Sequence, residues 1–187
     1  MKVISGIYKG RNILGFDLDG TRPTMDRVKE SLFGMIQNNI PNSICLDLFA
    51  GSGNLGIEAL SEGASFCYFC DSNHKAYQTI NSNLENIGIE DAKVLCMDYM
   101  KCLNYLREED RNFDIIFLDP PYKTNYIEKA LNKINELNLL KDNGIIVCES
   151  DSIDKIVYPD NFICVKDRQY GDKFVVILHK MWYYIRE

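Results

Sequence analysis

The chain has 187 residues, of which 46% are hydrophobic, and this is enough for one domain with a substantial core. Its longest apolar runs have the length of strands, far below the ~20 residues of a membrane-spanning helix, and its N-terminus lacks the apolar segment of a signal peptide. We therefore expect a cytoplasmic protein that does not span a membrane. The formal net charge of −6 argues against indiscriminate nucleic-acid binding, which depends on neutralising phosphates.

Residues 1–40 predict a small extension of the main domain. Two short runs, at 1–5 and 11–14, flank a connection from Gly6 to Gly10, which is typical of a β-hairpin. Thr24 is expected as the N-cap of a helix that ends near Asn39, before Pro41. One face of this helix is apolar and contains Val28, Leu32, Met35 and Ile36.

Basic residues are concentrated in this extension. Residues 1–11 contain no acid, and residues 22–29 contain only Asp26. The basic residues of the two segments are Lys2, Lys9, Arg11, Arg22, Arg27 and Lys29. The pattern indicates a basic N-terminal face on an acidic protein, although an ordinary solvated hairpin and helix face has the same composition.

Beyond residue 40 the sequence alternates between strands and helices. Strands are predicted at about 43–48, 65–71, 92–97, 113–118 and 144–149, and helices at about 54–62, 74–87, 99–106 and 126–138. Such alternation predicts a doubly wound, mostly parallel α/β sheet. Two final strands, at 162–168 and 174–179, are joined by a connection of hairpin length, so the last strand should run antiparallel. We therefore predict a single domain over 1–187, with the extension at 1–40 and the core at 41–187.

The seven cysteines are expected to be free thiols. Their number is odd, and most lie in apolar strand-like runs, where cysteine acts as a small hydrophobic residue. Cys67 and Cys70 form a C-x-x-C pattern, but strand alternation directs their sulfurs to opposite faces of the sheet. We therefore expect neither a zinc site nor a redox pair there, and no metal elsewhere.

A glycine-rich turn follows the first strand of the core. It runs from Asp47 to Gly56 and contains G-x-G-x-x-G, in which the glycines permit a tight turn and close approach of a ligand to the backbone. The pattern alone would also suit a dinucleotide, with Asp71 as the acid that binds its ribose. Asp47 favours another ligand, because its carboxylate repels a pyrophosphate and attracts an ammonium group. S-adenosylmethionine has that ammonium group and no phosphate.

Further acids stand at the ends of the next strands. The carboxyl ends of parallel strands form one edge of the sheet, where ligands bind. Each acid alone is most often a helix cap, but the series predicts a shared site in which Asp71 accepts from ribose hydroxyls while Asp98 and Tyr99 hold adenine. The predicted cofactor residues are Asp47, Phe49, Ala50, Gly51, Ser52, Gly53, Asp71, Ser72, Asp98 and Tyr99.

The tetrapeptide Asp119-Pro120-Pro121-Tyr122 follows the fourth strand. Its prolines fix φ and remove two backbone donors, which leaves carbonyl oxygens as acceptors. A carboxylate and an aromatic ring beside them suit a nucleobase with an exocyclic amine, because the oxygens accept its protons while the ring stacks on its face. The alternative is a proline loop in which the Asp caps the next helix.

These segments resemble the RsmD family of bacterial 16S rRNA guanine-N2 methyltransferases. The likeness covers nearly the whole chain and is carried by residues 1–11, 21–33, 47–53, 56–64, 113–122 and 168–172. The segment that contains Arg22 and Arg27 is its more specific part, because the other motifs occur in many methyltransferases. Glu62 stands where the family usually has Arg, and Asp71 where it usually has Glu.

The resemblance implies a Rossmann-like class I S-adenosylmethionine-dependent methyltransferase fold, with a seven-stranded sheet and an N-terminal hairpin and helix. It implies S-adenosylmethionine as the cofactor of a monomeric enzyme, and ribosomal RNA or an assembling small ribosomal subunit as its partner. The catalytic residues implied are Asp119, Pro120, Pro121 and Tyr122, of which the acid and the Pro120 carbonyl would accept the N2 protons of guanine. The residues expected at the RNA are Lys9, Arg11, Arg22, Thr24 and Arg27.

Three other functions share parts of the pattern. An amino-methyltransferase of another RNA, or of adenine N6 or cytosine N4 in DNA, would have both motifs, although the chain has little room for a DNA target-recognition region. An NAD-dependent oxidoreductase would keep the glycines and leave Asp-Pro-Pro-Tyr unexplained. A non-catalytic RNA-binding module would need the basic face without an intact cofactor pocket.

Overall fold

The structure is a computed structural model that describes residues 1–15, 24–121 and 125–181. Its strands are β1 (Ile44–Asp47), β2 (Phe66–Asp71), β3 (Ala92–Cys96), β4 (Phe113–Leu118), β5 (Leu140–Ser150), β6 (Phe162–Tyr170) and β7 (Lys173–Lys180). Its helices are α1 (Thr24–Ile36), α2 (Asn54–Ser61), α3 (His74–Ile87), α4 (Tyr99–Glu108) and α5 (Tyr126–Glu136), with a short 3-10 helix at Ile153–Lys155. None of the described helices is long and apolar enough to cross a membrane.

The strands form one sheet in the order β3-β2-β1-β4-β5-β7-β6. β7 runs antiparallel to both β5 and β6, and the other pairings are parallel. The predicted seven-stranded α/β fold, with an antiparallel last strand, is confirmed. From β1 and β4 the chain moves outward in opposite directions, so a crevice opens beyond their carboxyl ends. In sheets of this kind ligands bind at such a switch point.

The sheet separates two apolar cores. One contains α1, α2 and α3 together with Phe69 and Phe117, and the other contains α4 and α5 together with Phe113. Cys67 belongs to the first core and Cys70 to the second, as strand alternation predicts. All seven cysteines are free.

Most predicted boundaries lie within two residues of the observed ones, and β5 is the main exception. It begins at Leu140, whereas the sequence predicts a start near residue 144. The prediction was late because residues 141–144 have the composition of a turn, although the strand continues through them. The pairing with β4 shifts register there, between Phe113 and Ile115. The first helix, α1, begins at Thr24 and ends at Ile36, somewhat before the predicted end.

The predicted N-terminal hairpin has less backbone pairing than expected. Within residues 1–15 it has one bridge, between Lys2 and Asn12, instead of two paired strands. The Val3 N–H donates to the Arg11 carbonyl at 3.0 Å, next to this bridge. The side chain of Val3 is buried in the same core as α1, so packing on the main domain supplies what the short ladder lacks.

The hairpin lies along α2. Its tip touches the C-terminal end of that helix: Gly6 has φ of +79°, and an added Cβ would stand 1.8 Å from the Ser61 carbonyl oxygen, so only glycine fits. Its other end reaches α3, where the Leu14 N–H donates to Asn83 Oδ1 at 2.8 Å. Asn83 Nδ2 in turn donates to the Ser52 carbonyl at 2.9 Å. The extension and the glycine turn are thus held by one side chain.

A buried ion pair joins the extension to α2. Lys29 Nζ lies 2.7 Å from Glu58 Oε2, and both side chains are almost completely buried. Glu58 also accepts hydrogen bonds from the backbone N–H groups of Ile4 and Ser5, at 2.8 to 3.0 Å. The carboxylate therefore holds both α1 and the first strand-like run of the chain.

The Lys29 ammonium group has three partners. Besides Glu58 it donates to the Lys2 carbonyl at 2.9 Å and to Asn54 Oδ1 at 2.7 Å. Asn54 is the first residue of α2, directly after the glycine turn. The idea that Lys29 belongs to a basic solvated face was wrong: its side chain is buried, and three acceptors offset the cost of burying its charge.

We expect Lys29→Met to lower the free energy of unfolding by about 3 kcal/mol, because it leaves the Glu58 charge buried without its counter-ion. Urea unfolding of the purified protein measures this loss. The matched control is Lys133→Met on α5, which breaks the more exposed pair between Lys133 and Glu136 and should cost less than about 1 kcal/mol. Equal losses in the two variants would contradict the role given to the buried pair.

Candidate functional site

The glycine turn between β1 and α2 forms the floor of the candidate site. Gly51 and Gly53 have φ of +55° and +81°, which L side chains rarely adopt. An added Cβ at Gly56 would stand 2.3 Å from the Phe69 ring, so this glycine allows α2 to pack closely on β2. At Gly51 an added Cβ meets no atom of the described residues within 4 Å, so these residues leave the outer side of the turn open to a ligand.

Asp47 is the last residue of β1 and is buried beneath this turn. One carboxylate oxygen, Oδ2, accepts from the Gly56 N–H at 3.1 Å. The other, Oδ1, is buried and has no hydrogen-bond partner within the described part of the chain. Burial raises the pKa of Asp47 from 3.8 to about 7, and the charge of Asp71 contributes to the rise. A cationic group beside Oδ1 would remove this cost.

Asp71 ends β2 and is tied to the turn. Its Oδ2 accepts from the Gly51 N–H at 2.9 Å, and its Oδ1 accepts from the Asn73 N–H at 2.9 Å. Each oxygen of a carboxylate can accept more than one hydrogen bond, so both retain capacity for a ligand. Ser72, also predicted at the cofactor, is exposed beside it. The structure brings Asp47, Asp71 and the turn together, as the strand-end argument predicts.

Asp98 caps α4, because its Oδ1 accepts from the Met100 N–H at 2.9 Å. The neighbouring Tyr99 ring lies 5.2 Å from Phe49 and 5.0 Å from Tyr126, and the Phe49 and Tyr126 rings are stacked at 6.0 Å. These three half-buried rings, here called the aromatic trio, join the ends of β1 and β3 to the start of α5. Burial and the Asp98 charge raise the pKa of Tyr99.

Tyr126 is a member of the trio that sequence reasoning missed. An aromatic residue at the start of the helix that follows Asp-Pro-Pro-Tyr was the signal that could have revealed it. Phe49 and Tyr99 were predicted there, and the structure places both at this point. Flat aromatic faces at the ligand edge of a sheet suit a planar heterocycle, which gains about 1–3 kcal/mol per base from stacking.

Asp119 follows β4 and stands beside the same crevice. Burial raises the pKa of Asp119 well above its usual range, the charge of Glu149 raises it further, and Lys173 lowers it. Pro120 is buried and Pro121 is exposed. Tyr122, predicted to stack on the base, lies outside the described residues.

Glu149 and Lys173 were also missed. Glu149 lies near the carboxyl end of β5, is 7% exposed, and is paired with Lys173 at the start of β7. An acid at the carboxyl end of a predicted strand was the signal for Asp47, Asp71, Asp98 and Asp119. Glu149 stands at the end of the fifth strand, so the same signal could have revealed it.

The residues predicted at RNA are spread along the extension. Lys9 and Arg11 are exposed on the hairpin, and Arg27 is exposed in the first turns of α1. Lys9 lies in the hairpin tip near the far end of α2, which is about 12 Å from the glycine turn for a helix of eight residues. Arg22 lies outside the described residues, as does the side chain of Thr24, whose backbone begins α1.

Comparison with known proteins gives the class of this fold. An Escherichia coli structure described as "Putative methyltransferase yhhF" has a TM-score of 0.85 and 29% identity, with 97% of this chain and 98% of that chain covered. A more distant structure, described as "SMU.776, a putative methyltransferase complexed with SAH", has a TM-score of 0.62 at 17% identity, with 78% of this chain and 48% of that chain covered, and shows the fold alone. The fold is that of the S-adenosylmethionine-dependent methyltransferases.

The sequence comparisons give the family. Residues 1–179 match the family model described as Conserved hypothetical protein 95. Identity is 40% over 184 residues with "Putative rRNA methyltransferase YlbH" of Bacillus subtilis, covering 96% of this chain and 99% of that protein. It is 35% over 175 residues with "Ribosomal RNA small subunit methyltransferase D" of Haemophilus influenzae, covering 91% and 89%. The chain belongs to this family, that of ribosomal RNA small subunit methyltransferase D, which confirms the predicted resemblance.

The buried Asp47 carboxyl makes stability depend on pH. Because its pKa is raised in the folded chain, the folded state keeps the proton to a higher pH than the unfolded state does. The favourable contribution of the protonated Asp47 to the free energy of unfolding is complete below about pH 4 and is lost as the pH rises to about 7. Asp47→Asn removes this loss, so its stability relative to the wild type should grow by roughly 2–3 kcal/mol between pH 5 and pH 8.5.

Urea unfolding at the two pH values measures this difference. The control is Asp26→Asn, which changes an exposed carboxylate on α1 and should show no comparable growth. A stability difference for Asp47→Asn that is the same at both pH values would mean that Asp47 carries its charge without cost.

Proposed function

We propose that the protein transfers a methyl group from S-adenosylmethionine to the exocyclic N2 amine of a guanine in small-subunit ribosomal RNA. The observation that carries the proposal is the position of Asp119, Pro120 and Pro121 after β4, beside the glycine turn that follows β1. Asp47 pairs with Phe117 across these two strands, so Asp119 stands two residues beyond Asp47 at one edge of the sheet. Support for the substrate comes from the family, whose named members include ribosomal RNA small subunit methyltransferases.

The donors and acceptors at the site fit S-adenosylmethionine. The unpartnered Asp47 Oδ1 suits the ammonium group of its methionine part, and Asp71 suits the ribose hydroxyls. The aromatic trio suits adenine, with Asp98 as an acceptor for its amine. Bound S-adenosylmethionine supplies an electrophilic methyl group on a positively charged sulfur.

A dinucleotide fits this site less well. The Gly51 N–H, which would meet a pyrophosphate in a dinucleotide site, donates instead to the Asp71 carboxylate. Asp47 adds a second carboxylate beneath the same turn. Both acids would repel phosphate oxygens, so the hypothesis of an NAD-dependent oxidoreductase has the weaker chemical support.

The residues after β4 would prepare the amine for reaction. The N2 lone pair of guanine is delocalised into the ring, and acceptors that bind the two N2 protons let the nitrogen become pyramidal and nucleophilic. Asp119 and the Pro120 carbonyl are the proposed acceptors. The raised pKa of Asp119 also suits it to hold the proton that the amine loses after methylation. Tyr122 would stack on the base and orient it.

Analysis of the methylated nucleoside tests the function. Small ribosomal subunits and free 16S rRNA from cells that lack the gene would be incubated with the purified protein and methyl-labelled S-adenosylmethionine, then digested to nucleosides. We expect the label in N2-methylguanosine. Label in N6-methyladenosine or N4-methylcytidine, or no label in either RNA substrate, would overturn the proposal.

Two variants should separate chemistry from cofactor binding. Asp119→Ala should lose most turnover while its affinity for S-adenosylhomocysteine stays within a few-fold of the wild type, because its contact is with the amine. Asp71→Ala should instead weaken that affinity by roughly 1.5–3 kcal/mol, the cost of a hydrogen bond to a charged group. Calorimetry and single-turnover kinetics measure the two effects. Full turnover by Asp119→Ala would contradict the mechanism, and unchanged affinity in Asp71→Ala would remove it from the ribose.

RNA binding by an acidic protein should depend on the exposed basic residues of the extension. We expect log K to fall with log salt by about 0.7 for each phosphate contacted in single-stranded RNA. Lys9→Ala/Arg11→Ala should therefore flatten the slope by about one to two, and Arg27→Ala by about 0.7. Fluorescence titration with the RNA substrate at several salt concentrations measures the slope.

The control is Lys101→Ala/Lys129→Ala, which removes two exposed lysines from α4 and α5 on the other side of the sheet. This control should leave the slope unchanged. A wild-type slope in the Lys9/Arg11 and Arg27 variants would mean that RNA docks on another face.

A further inference from the structure

The crevice contains an ion pair that has no role in the methyl transfer itself. Glu149, 7% exposed near the end of β5, is paired with Lys173 at the start of β7. Burying two charges costs several kcal/mol for each ion before their attraction is counted, and two well-packed apolar residues would often be as stable. A pair kept at a ligand edge therefore has a further use there.

The strand register places this pair beside Asp119. Leu118 of β4 pairs with Cys148 of β5, so Asp119 and Glu149 are the next residues along two neighbouring parallel strands. Lys173 precedes Val175 of β7, the partner of Glu149, by two residues and so points to the same face. The electrostatic effects of Glu149 and Lys173 on Asp119 agree with this proximity.

All three side chains lie on the α1 side of the sheet. The residues two positions away along their strands, Phe117, Val147 and Val175, belong to the core that contains α1. The strand order β4-β5-β7 then sets the order of the groups along the edge. From the middle of the sheet outward they are a carboxylate, a second carboxylate and an ammonium group.

Guanine presents the complementary order on its Watson–Crick edge. The N2 amine and N1–H are donors, and O6 is an acceptor. Adenine has an acceptor at N1 and an amine at C6, and cytosine has an acceptor at N3, so either base would set a lone pair against a carboxylate. A site with buried polar groups rejects a base that leaves those groups unpaired.

We propose that Glu149 and Lys173 select guanine at this site, with Glu149 accepting from N1–H and Lys173 donating to O6 while Asp119 holds the N2 amine. This inference rests on the proposed function, because it names the groups that read the base which that function methylates. An ammonium group has three N–H donors, so donation to O6 is compatible with the pairing of Lys173 and Glu149. Both contact the base away from the reacting N2 amine, so they determine specificity.

RNA with 2-aminopurine at the target position tests the inference. This base keeps the reactive amine but has neither N1–H nor O6. The wild type should use the guanine RNA about 10- to 100-fold better, judged by kcat/KM in single-turnover assays with S-adenosylmethionine. In Glu149→Gln the preference should fall toward unity, because the guanine N1–H exchanges a charged acceptor for a neutral one while the glutamine NH₂ can donate to N1 of 2-aminopurine. Lys173→Met should also reduce the preference for guanine, by lowering kcat/KM for the guanine RNA while leaving kcat/KM for the 2-aminopurine RNA unchanged, because 2-aminopurine has no O6.

A purely structural ion pair gives a different result. Glu149→Gln would then lower kcat/KM for both RNAs by the same factor, and the inference would be overturned. Lys141→Met is the matched control, since it breaks the Lys141–Asp114 pair of β4 and β5 at the opposite end of these strands and should leave the preference unchanged. If the wild type methylates no guanine in any RNA, the proposed function itself fails, which is a separate outcome.

Discussion

The buried contact between Lys29 and Glu58 is the constraint on which the placement of the extension depends. Every donor of the lysine and both oxygens of the glutamate have partners, so both buried side chains are fully paired. Such a network adds specificity more than net stability, because desolvation offsets much of the attraction. It fixes α1, the hairpin and α2 in one arrangement.

That arrangement determines what the crevice can bind. With Lys29 anchored at the start of α2, α1 crosses the sheet over β4, where Phe33 and Phe117 stack at 5.9 Å. Ser31 of α1 contacts Tyr170 at the end of β6, and Lys166 donates to the Met35 carbonyl. The extension and the C-terminal hairpin therefore meet on one face of the sheet, the face on which Asp119, Glu149 and Lys173 stand. The substrate proposed to bind at Asp119 would lie between the two.

The concentration of acids at this edge has an energetic cost. Asp47 and Asp119 are both held at raised pKa by burial and by neighbouring carboxylates, which a fold under selection for stability alone would replace. The cost is consistent with a site that binds a cationic sulfonium donor together with a base whose N–H groups face the carboxylates. Each ligand would neutralise or pair a group whose burial is otherwise unfavourable.

The sequence was most informative where a local pattern has a single consequence. Strand and helix alternation predicted the sheet, and the same alternation predicted that Asp71 and Asp98 follow neighbouring strands at one edge of it. It was least informative where partners lie far apart in the chain. Nothing near Lys29 reveals that Glu58 and Asn54 will surround it, so its charge was assigned to the surface. Glu149 and Lys173 become neighbours only through the antiparallel pairing of β7, and Tyr126 joins the aromatic trio only when the start of α5 comes close to Phe49, after β1.

A crystal structure of the protein with S-adenosylhomocysteine bound tests the central claim most directly. The account predicts the amino group at Asp47, the ribose hydroxyls at Asp71 and the adenine against Phe49, Tyr99 and Tyr126, with the sulfur directed toward Asp119. A ligand bound away from the carboxyl ends of β1 and β4, or with its sulfur directed away from Asp119, would contradict it.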